Sequence, residues 1–276
     1  MGMNKPLNPP GEANPSASQL EPGELCADAG NLEVHWNIAV ETPVAVRIND
    51  EDHAVMLCTP QDLEDFARGF VLSEGILPSA KAIESLEIKQ LTQGIQIKVR
   101  APANALARQA LRQRRHAARS GCGLCGIQTL EQAVRSVPRL PAAPPISAKI
   151  MQRAFSGLPD CQPIKDENHS VHGAAWCDTS GKIQLVREDV GRHNALDKLI
   201  GALAVQAIEP SNGFVILTSR CSYELVQKAA TFGIRALATL SAPTSLALQL
   251  ARESGLQLSA GCGGQVVTFN PEPRKP

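Results

Sequence analysis

From residue 171 to residue 269, short strand-like apolar runs take turns with helical ones. That alternation limits the fold of this half more than any other feature of the chain. Residues 171–177 and 182–186 read as strands and lead into a helix over 195–206. Residues 214–218, 235–240, 256–258 and 266–269 read as further strands, with helices over 223–232 and 244–253 among them. Such a pattern predicts an α/β layered domain around a mostly parallel sheet. Ligands bind beyond the carboxyl ends of the strands in sheets of this kind. Four polar loops fall there, at 187–194, 219–222, 241–245 and 259–265, and the topology predicts that they share one rim.

Two of these loops carry chemistry. Arg187, Glu188, Asp189, Arg192, His193, Asp197 and Lys198 crowd into twelve positions. They read either as a solvated helix start with i,i+4 pairs such as His193 with Asp197, or as a phosphate cradle with Gly191 at the helix amino end. Asp189 is also a candidate acceptor for a guanine edge. Gly261-Cys262-Gly263-Gly264 reads as an ordinary turn, or, beside Arg187, Arg192 and Arg220, as a pyrophosphate nest.

The first half has a different rhythm. Residues 1–30 hold Pro6, Pro9, Pro10, Pro15 and Pro22 among Gly, Ser, Asn and Glu, and are expected to form a disordered tail. Residues 32–36, 44–48 and 54–58 read as an antiparallel sheet. Thr59 then reads as a helix cap, with Pro60 the first helical residue. Leu63, Phe66, Ala67, Phe70 and Val71 follow at helical spacing, and Gly75 ends the helix. Strands are expected over 83–91 and 95–99, a helix over 104–118, and a short helix over 129–137. Pro138, Pro141, Pro144 and Pro145 mark a linker. The expected units are the tail 1–30, an α+β domain over 31–145 and the α/β domain over 146–276.

Between the last two predicted helices of the first half lies Ser120-Gly121-Cys122-Gly123-Leu124-Cys125-Gly126. No Asp or Glu occurs between Glu87 and Glu131, whereas Lys89, Lys98, Arg100, Arg108, Arg112, Arg114, Arg115 and Arg119 all fall there. The chain as a whole has 27 basic and 27 acidic residues, so this positive stretch is local. A free thiol has a pKa of about 8.5, and neighbouring arginines lower it and raise the thiolate fraction. The flanking glycines leave the sulfurs unshielded. Attack on a sulfur donor, forming a cysteine persulfide, is the leading reading of Cys122 and Cys125. Half of a zinc site and a merely structural loop remain open beside it. The other six cysteines are isolated and read as core residues or bystanders, most of them small buried hydrophobes. Zero net charge argues against a nucleic-acid binder. No apolar run approaches a membrane span, and no signal pattern opens the chain, so a cytoplasmic protein is expected.

Five motifs in order give the chain a family resemblance: Glu41-Thr42-Pro43-Val44, Gly121 to Gly126, Arg187 to Lys198, Ser222 to Lys228, and Ser241 to Ser245. Together they resemble the FdhD family, accessory sulfurtransferases of formate dehydrogenase, over about residues 32–269. The resemblance implies a cytoplasmic homodimer with a cytidine-deaminase-like carboxyl-terminal domain. It implies sulfur taken from a cysteine desulfurase as a persulfide. That sulfur would pass to the molybdenum cofactor, in its bis-molybdopterin guanine dinucleotide form, before the cofactor enters formate dehydrogenase. The persulfide position maps to Cys122, with Cys125 assisting. The cofactor-binding stretch maps to Ala260, Gly261, Cys262, Gly263, Gly264 and Gln265, with no metal ligand. Where the family commonly carries an aromatic, an arginine and a further basic residue around the two glycines, this chain has Ala260, Cys262 and Gln265. Deamination is not implied, because no His-x-Glu occurs in the chain.

Overall fold

The structure, a computed structural model, describes residues 15–26, 30–107 and 137–269. Its strands and helices form three sheets and six α-helices among the described residues.

The first sheet is a hairpin of β1 (Ser18–Leu25) and β2 (Leu32–Ala39), antiparallel and in full register from Ser18↔Ala39 to Leu25↔Leu32. The expected tail therefore gives way to structure at Ser18. A backbone ladder needs no buried side chains, so the proline- and glycine-bearing composition that reads as a tail does not prevent it. Leu25, Leu32, Trp36 and Ile38 lie on one side of the hairpin and are exposed.

The second sheet has the order β4-β3-β6-β5, built from β3 (Thr42–Ile48), β4 (Glu51–Cys58), β5 (Ser85–Leu91) and β6 (Gly94–Arg100). It is mixed rather than antiparallel throughout, because β3 pairs parallel with β6. Val44, Val46, Ile48, Ile95, Ile97 and Val99 fill its inner face, which packs on α1 (Leu63–Ser73). The described part of the helix expected over 104–118 is a turn, 103–105, and an extended exit at Ala107. The remainder lies outside the described residues, as does the helix expected at 129–137 except for Val137.

After the linker come α2 (Ala148–Gly157) and α3 (Pro163–Asn168), then the third sheet in the order β12-β11-β10-β9-β7-β8. Its strands are β7 (His172–Asp178), β8 (Ile183–Asp189), β9 (Gly213–Leu217), β10 (Ala236–Thr239), β11 (Gln257–Cys262) and β12 (Gln265–Thr268). This sheet is mixed too: only β9–β10 and β10–β11 are parallel pairs. The β7–β8 and β11–β12 links are too short for the crossover that a parallel pair requires. Helices α4 (Arg192–Val205), α5 (Tyr223–Phe232) and α6 (Ser245–Ser254) belong to the core on one face, while Met151 and Ala154 of α2 pack on the other.

One apolar core runs from the four-stranded sheet through α1 and α4 to the six-stranded sheet, without a break at residue 145. The crossing of α1 and α4 sets that continuity. Gly69 and Gly201 face it, and a Cβ on either would overlap the backbone carbonyl of Asp197 or Asp65 respectively. The two helices touch backbone to backbone, which only glycine permits.

Candidate functional site

Strands β8, β9, β10 and β11 run in one direction, since β7 is antiparallel to both β8 and β9. Their carboxyl ends, Asp189, Leu217, Thr239 and Cys262, therefore lie at one edge, and the four loops of interest leave from it. At ~4.8 Å per strand, the β8 and β11 ends of this rim are roughly 19 Å apart. The two ends are built differently.

At the β8 end the charged motif is consumed by the fold. Arg187 donates from Nε and a terminal nitrogen to Asp65 Oδ2 of α1, at 2.9 and 2.7 Å. Glu188, 3% exposed, accepts from the backbone N–H of Ile164 and Lys165 and holds the start of α3. Asp189 is fully buried: Lys198 Nζ lies 2.7 Å from Oδ2, the Thr59 N–H donates to Oδ2, and the Gly191 N–H and Asn194 Nδ2 donate to Oδ1. Asp197 is fully buried too, held by Lys228 at 2.9 Å and by the Ser73 hydroxyl at 2.5 Å. Lys228 also pairs with Glu74.

These contacts correct three expectations. The segment is neither a solvated helix start nor a phosphate cradle, because its carboxylates face inward and Asp189 already occupies the amino end of α4. Asp189 has no free lone pair directed outward, so it does not read a guanine edge. Thr59 is not the cap of α1. Its carbonyl accepts from Lys198 and its hydroxyl from the Val190 N–H, and the capping position passes to Asp62.

Beside this clamp, between β8 and β9, lies a group that sequence spacing does not reveal. His193 Nε2 is 3.0 Å from Glu224 Oε2, at the amino ends of α4 and α5. His193 thus pairs across the fold instead of with Asp197. His172 opens β7 opposite Asp189 in the ladder. Its pKa is lowered by burial first, then by the positive field of Arg192, Lys165 and His193. The Ser222 hydroxyl is buried without a hydrogen bond among the described residues. His193 and Glu224 are 31 positions apart and belong to separate helices, so only the tertiary fold brings them together.

The β11 end is open. Ala260 is buried in the ladder opposite Thr239, Gly261 is half-buried, and Cys262, Gly263, Gly264 and Gln265 are exposed. Cys262 pairs with Gln265, and the two residues between them have φ of 54° and 78°. Two positive φ values in a two-residue connection suit a type I′ hairpin turn, which glycine makes without strain. Nothing lies within 4 Å of where a Cβ would stand on either glycine. The turn and strand ends line a cavity of about 260 Å³ together with Leu240 and Gln152, Phe155 and Ser156 of α2. Gln152 Nε2 donates to the Gly264 carbonyl. Among the described residues no charged side chain lines this cavity. Arg187, one of the three arginines expected beside this turn, is committed to Asp65. Arg220, exposed after β9, is free of such a commitment among the described residues.

The thiols divide by burial. Desolvation pushes Cys177 and Cys221 up to about 12 and raises Cys58 as well, so none of these ionises near neutrality. Cys26 and Cys262 are exposed, outside the core. Cys122 and Cys125, with the basic run from Arg108 to Arg119, lie outside the described residues.

The fold and rim define a mixed α/β protein with an open, glycine-turned edge. The chain belongs to the FdhD/NarQ family, whose model matches residues 39–269. It is 44% identical over 243 residues to the sulfur carrier protein FdhD of Bordetella petrii, covering 84% of this chain and 87% of that one. It is 43% identical over 251 residues to the protein of the same name from Xanthomonas euvesicatoria pv. vesicatoria, with 89% of each chain covered. A crystal structure of a Desulfotalea psychrophila protein, assigned as a formate dehydrogenase accessory protein, superposes with a TM-score of 0.74. That match has 27% identity and covers 93% of this chain and 98% of the other.

Proposed function

We propose that this chain is a sulfurtransferase, a sulfur carrier that serves a formate dehydrogenase. The observation that carries this reading is its 44% identity to the Bordetella petrii sulfur carrier over 84% of its length. The open rim at β11 supports it.

The Cys122 thiolate attacks the outer sulfur of a persulfide on a cysteine desulfurase. The donor's S–S bond breaks, the donor leaves as a thiolate, and a new S–S bond leaves the transferred sulfur on Cys122. The arginines from Arg108 to Arg119 favour the thiolate and attract an acidic partner. Cys125 is the assisting thiol.

The client that receives the sulfur is the molybdenum cofactor in its bis-molybdopterin guanine dinucleotide form, held as substrate at Ala260 to Gln265. A cavity of about 260 Å³ is below the usual range for a whole drug-sized ligand and suits one flat base. Phe155 offers that base an apolar wall, Gln152 and Ser156 offer polar atoms, and the bare glycine backbone allows close approach. The phosphates depend on Arg220, roughly 10 Å away at two strand spacings. The six-stranded sheet, with helices on both faces, is read as a cytidine-deaminase-like layer used for binding alone. The protein works in the cytoplasm as a homodimer, and the bare apolar side of the β1–β2 hairpin supports pairing, which sedimentation equilibrium reads directly. No described helix is long and apolar enough to cross a membrane.

Mass spectrometry after incubation with a cysteine desulfurase and cysteine tests the sulfur step. The wild type should gain the mass of one sulfur, reversibly with thiol reductant, and Cys122→Ala should not. A gain that survives in Cys122→Ala overturns the assignment.

A further inference from the structure

The linker that follows the thiol segment does more than join two halves of the fold. It crosses the edge of the six-stranded sheet opposite the rim, where β9, β10 and β11 begin, and is fastened there at both ends. The Leu140 N–H donates to the Ser254 carbonyl at 2.8 Å. The Ile146 N–H and carbonyl both bond the Gln257 side chain, each at 2.8 Å. Between these points Pro141, Pro144 and Pro145 have no N–H, so the strap cannot extend the sheet as a further strand. It arches over the sheet edge and encloses a cavity of about 580 Å³.

That volume is typical of a site for a small organic ligand. The wall is mainly apolar, with Leu140, Ile146 and Ile150 among its residues. Two of the lining residues are arginines, Arg139 from the strap and Arg235 just before β10, and among the described residues no Asp or Glu lines the cavity. Neither arginine has an ion-pair partner among the described residues. Glu209, a nearby acid in the chain, accepts from the Ser211 hydroxyl at 3.0 Å and is not on the wall. Guanidinium groups keep their charge at any physiological pH. Two of them line one concave, largely apolar surface, without an acidic partner among the described residues. An inorganic anion would answer the charge but leave most of the volume and the apolar wall unfilled.

We propose that this cavity binds a small organic phosphate ester of about nucleotide size. Its phosphate is held by Arg139 and Arg235, whose planar forks match phosphate oxygens. Its organic body lies against Leu140, Ile146 and Ile150. The cavity is distinct from the one at the β11–β12 turn. The two sit at opposite edges of the sheet, separated by the four residues of β10, about 13 Å at ~3.3 Å per residue. The proposal does not depend on sulfur transfer.

Titration calorimetry of the full chain with AMP and, separately, with inorganic phosphate tests it. AMP should bind saturably and more tightly than inorganic phosphate. Arg139→Gln and Arg235→Gln should each weaken AMP by about 10-fold, the loss of one charge-assisted contact. Arg235→Lys should fall between, because it keeps the charge and loses the fork. Both arginines are at least partly exposed, so these variants should melt with the wild type. Photolabelling with 8-azido-AMP should mark peptides containing 139–146 or 211–236. The proposal fails if the wild type shows no saturable AMP binding, if the double arginine variant binds AMP as the wild type does, or if the label falls on 260–265.

Discussion

At the β8 end of the rim, Glu188, Asp189, Asp197, Lys198 and Lys228 are all under 5% exposed, and every one is bonded to another part of the fold. At the β11 end, Cys262, Gly263, Gly264 and Gln265 are exposed, Cys262 and Gln265 meet in the ladder, and Gln152 holds the Gly264 carbonyl. The end denser in ionisable residues is the one whose buried charges are spent on holding the fold together. Charges close in sequence are as well suited to welding two helices as to holding a phosphate, and burial decides between these uses. The plain, uncharged end keeps its backbone accessible, as the proposed client site requires.

The sharpest way to break this contrast is to unpair the weld. Lys198→Met removes the cation from a fully buried Asp189 and leaves its carboxylate without a counter-charge. Breaking a buried pair from one side costs about 3–5 kcal/mol, and urea unfolding should show a loss of that size. Adding Asp189→Leu to Lys198→Met should recover part of it, since the uncompensated charge is then gone. If Lys198→Met unfolds at the wild-type urea concentration, the segment is not a weld.

Much of this was legible beforehand, for identifiable reasons. The strands and helices between residues 171 and 269 follow from apolar spacing, and the predicted helix 223–232 coincides with α5. The shared rim follows from the order of those elements. Strand direction was less legible: the sheet was expected to be mostly parallel, but the short turn after Asp178 folds β8 back against β7. Thr59 has every local mark of a helix cap, yet Asp189 and Lys198, more than 120 positions away, claim its N–H and carbonyl. β1 was hidden because its stability comes from a ladder to β2 instead of from its own side chains. His193 and Glu224 escaped because no spacing rule links residues on two helices. For Thr59, His193 and Glu224 a distant partner outweighed a local preference.

The open end can be sharpened by adding what it lacks. Cys262→Arg puts a positive charge at a cavity with no charged lining, on an exposed position next to the turn. A charge-assisted hydrogen bond contributes about 1.5–3 kcal/mol. GDP binding measured by calorimetry should therefore tighten by at least about 10-fold, with the melting temperature unchanged. Unaltered affinity would mean that the phosphates do not pass this turn, and the placement of the client at Ala260 to Gln265 would have to be abandoned.

The smallest expected effect comes from His172, which stands on β7 between the two ends and faces Asp189 in the ladder. Burial, then Arg192, Lys165 and His193, lower its pKa below the ordinary 6.5. The unfolded chain, with its imidazole near 6.5, takes the proton first as pH falls. Stability is then lost as pH drops from about 6.5 towards the lowered folded value, and no further loss from this group follows below it. Urea midpoints between pH 7.5 and 5 should thus decline in the wild type and decline less in His172→Asn, with the two curves parallel above pH 7. Partial exposure keeps the difference small. A His172→Asn curve as steep as the wild type would show that neither burial nor the positive field of Arg192, Lys165 and His193 holds the His172 imidazole neutral.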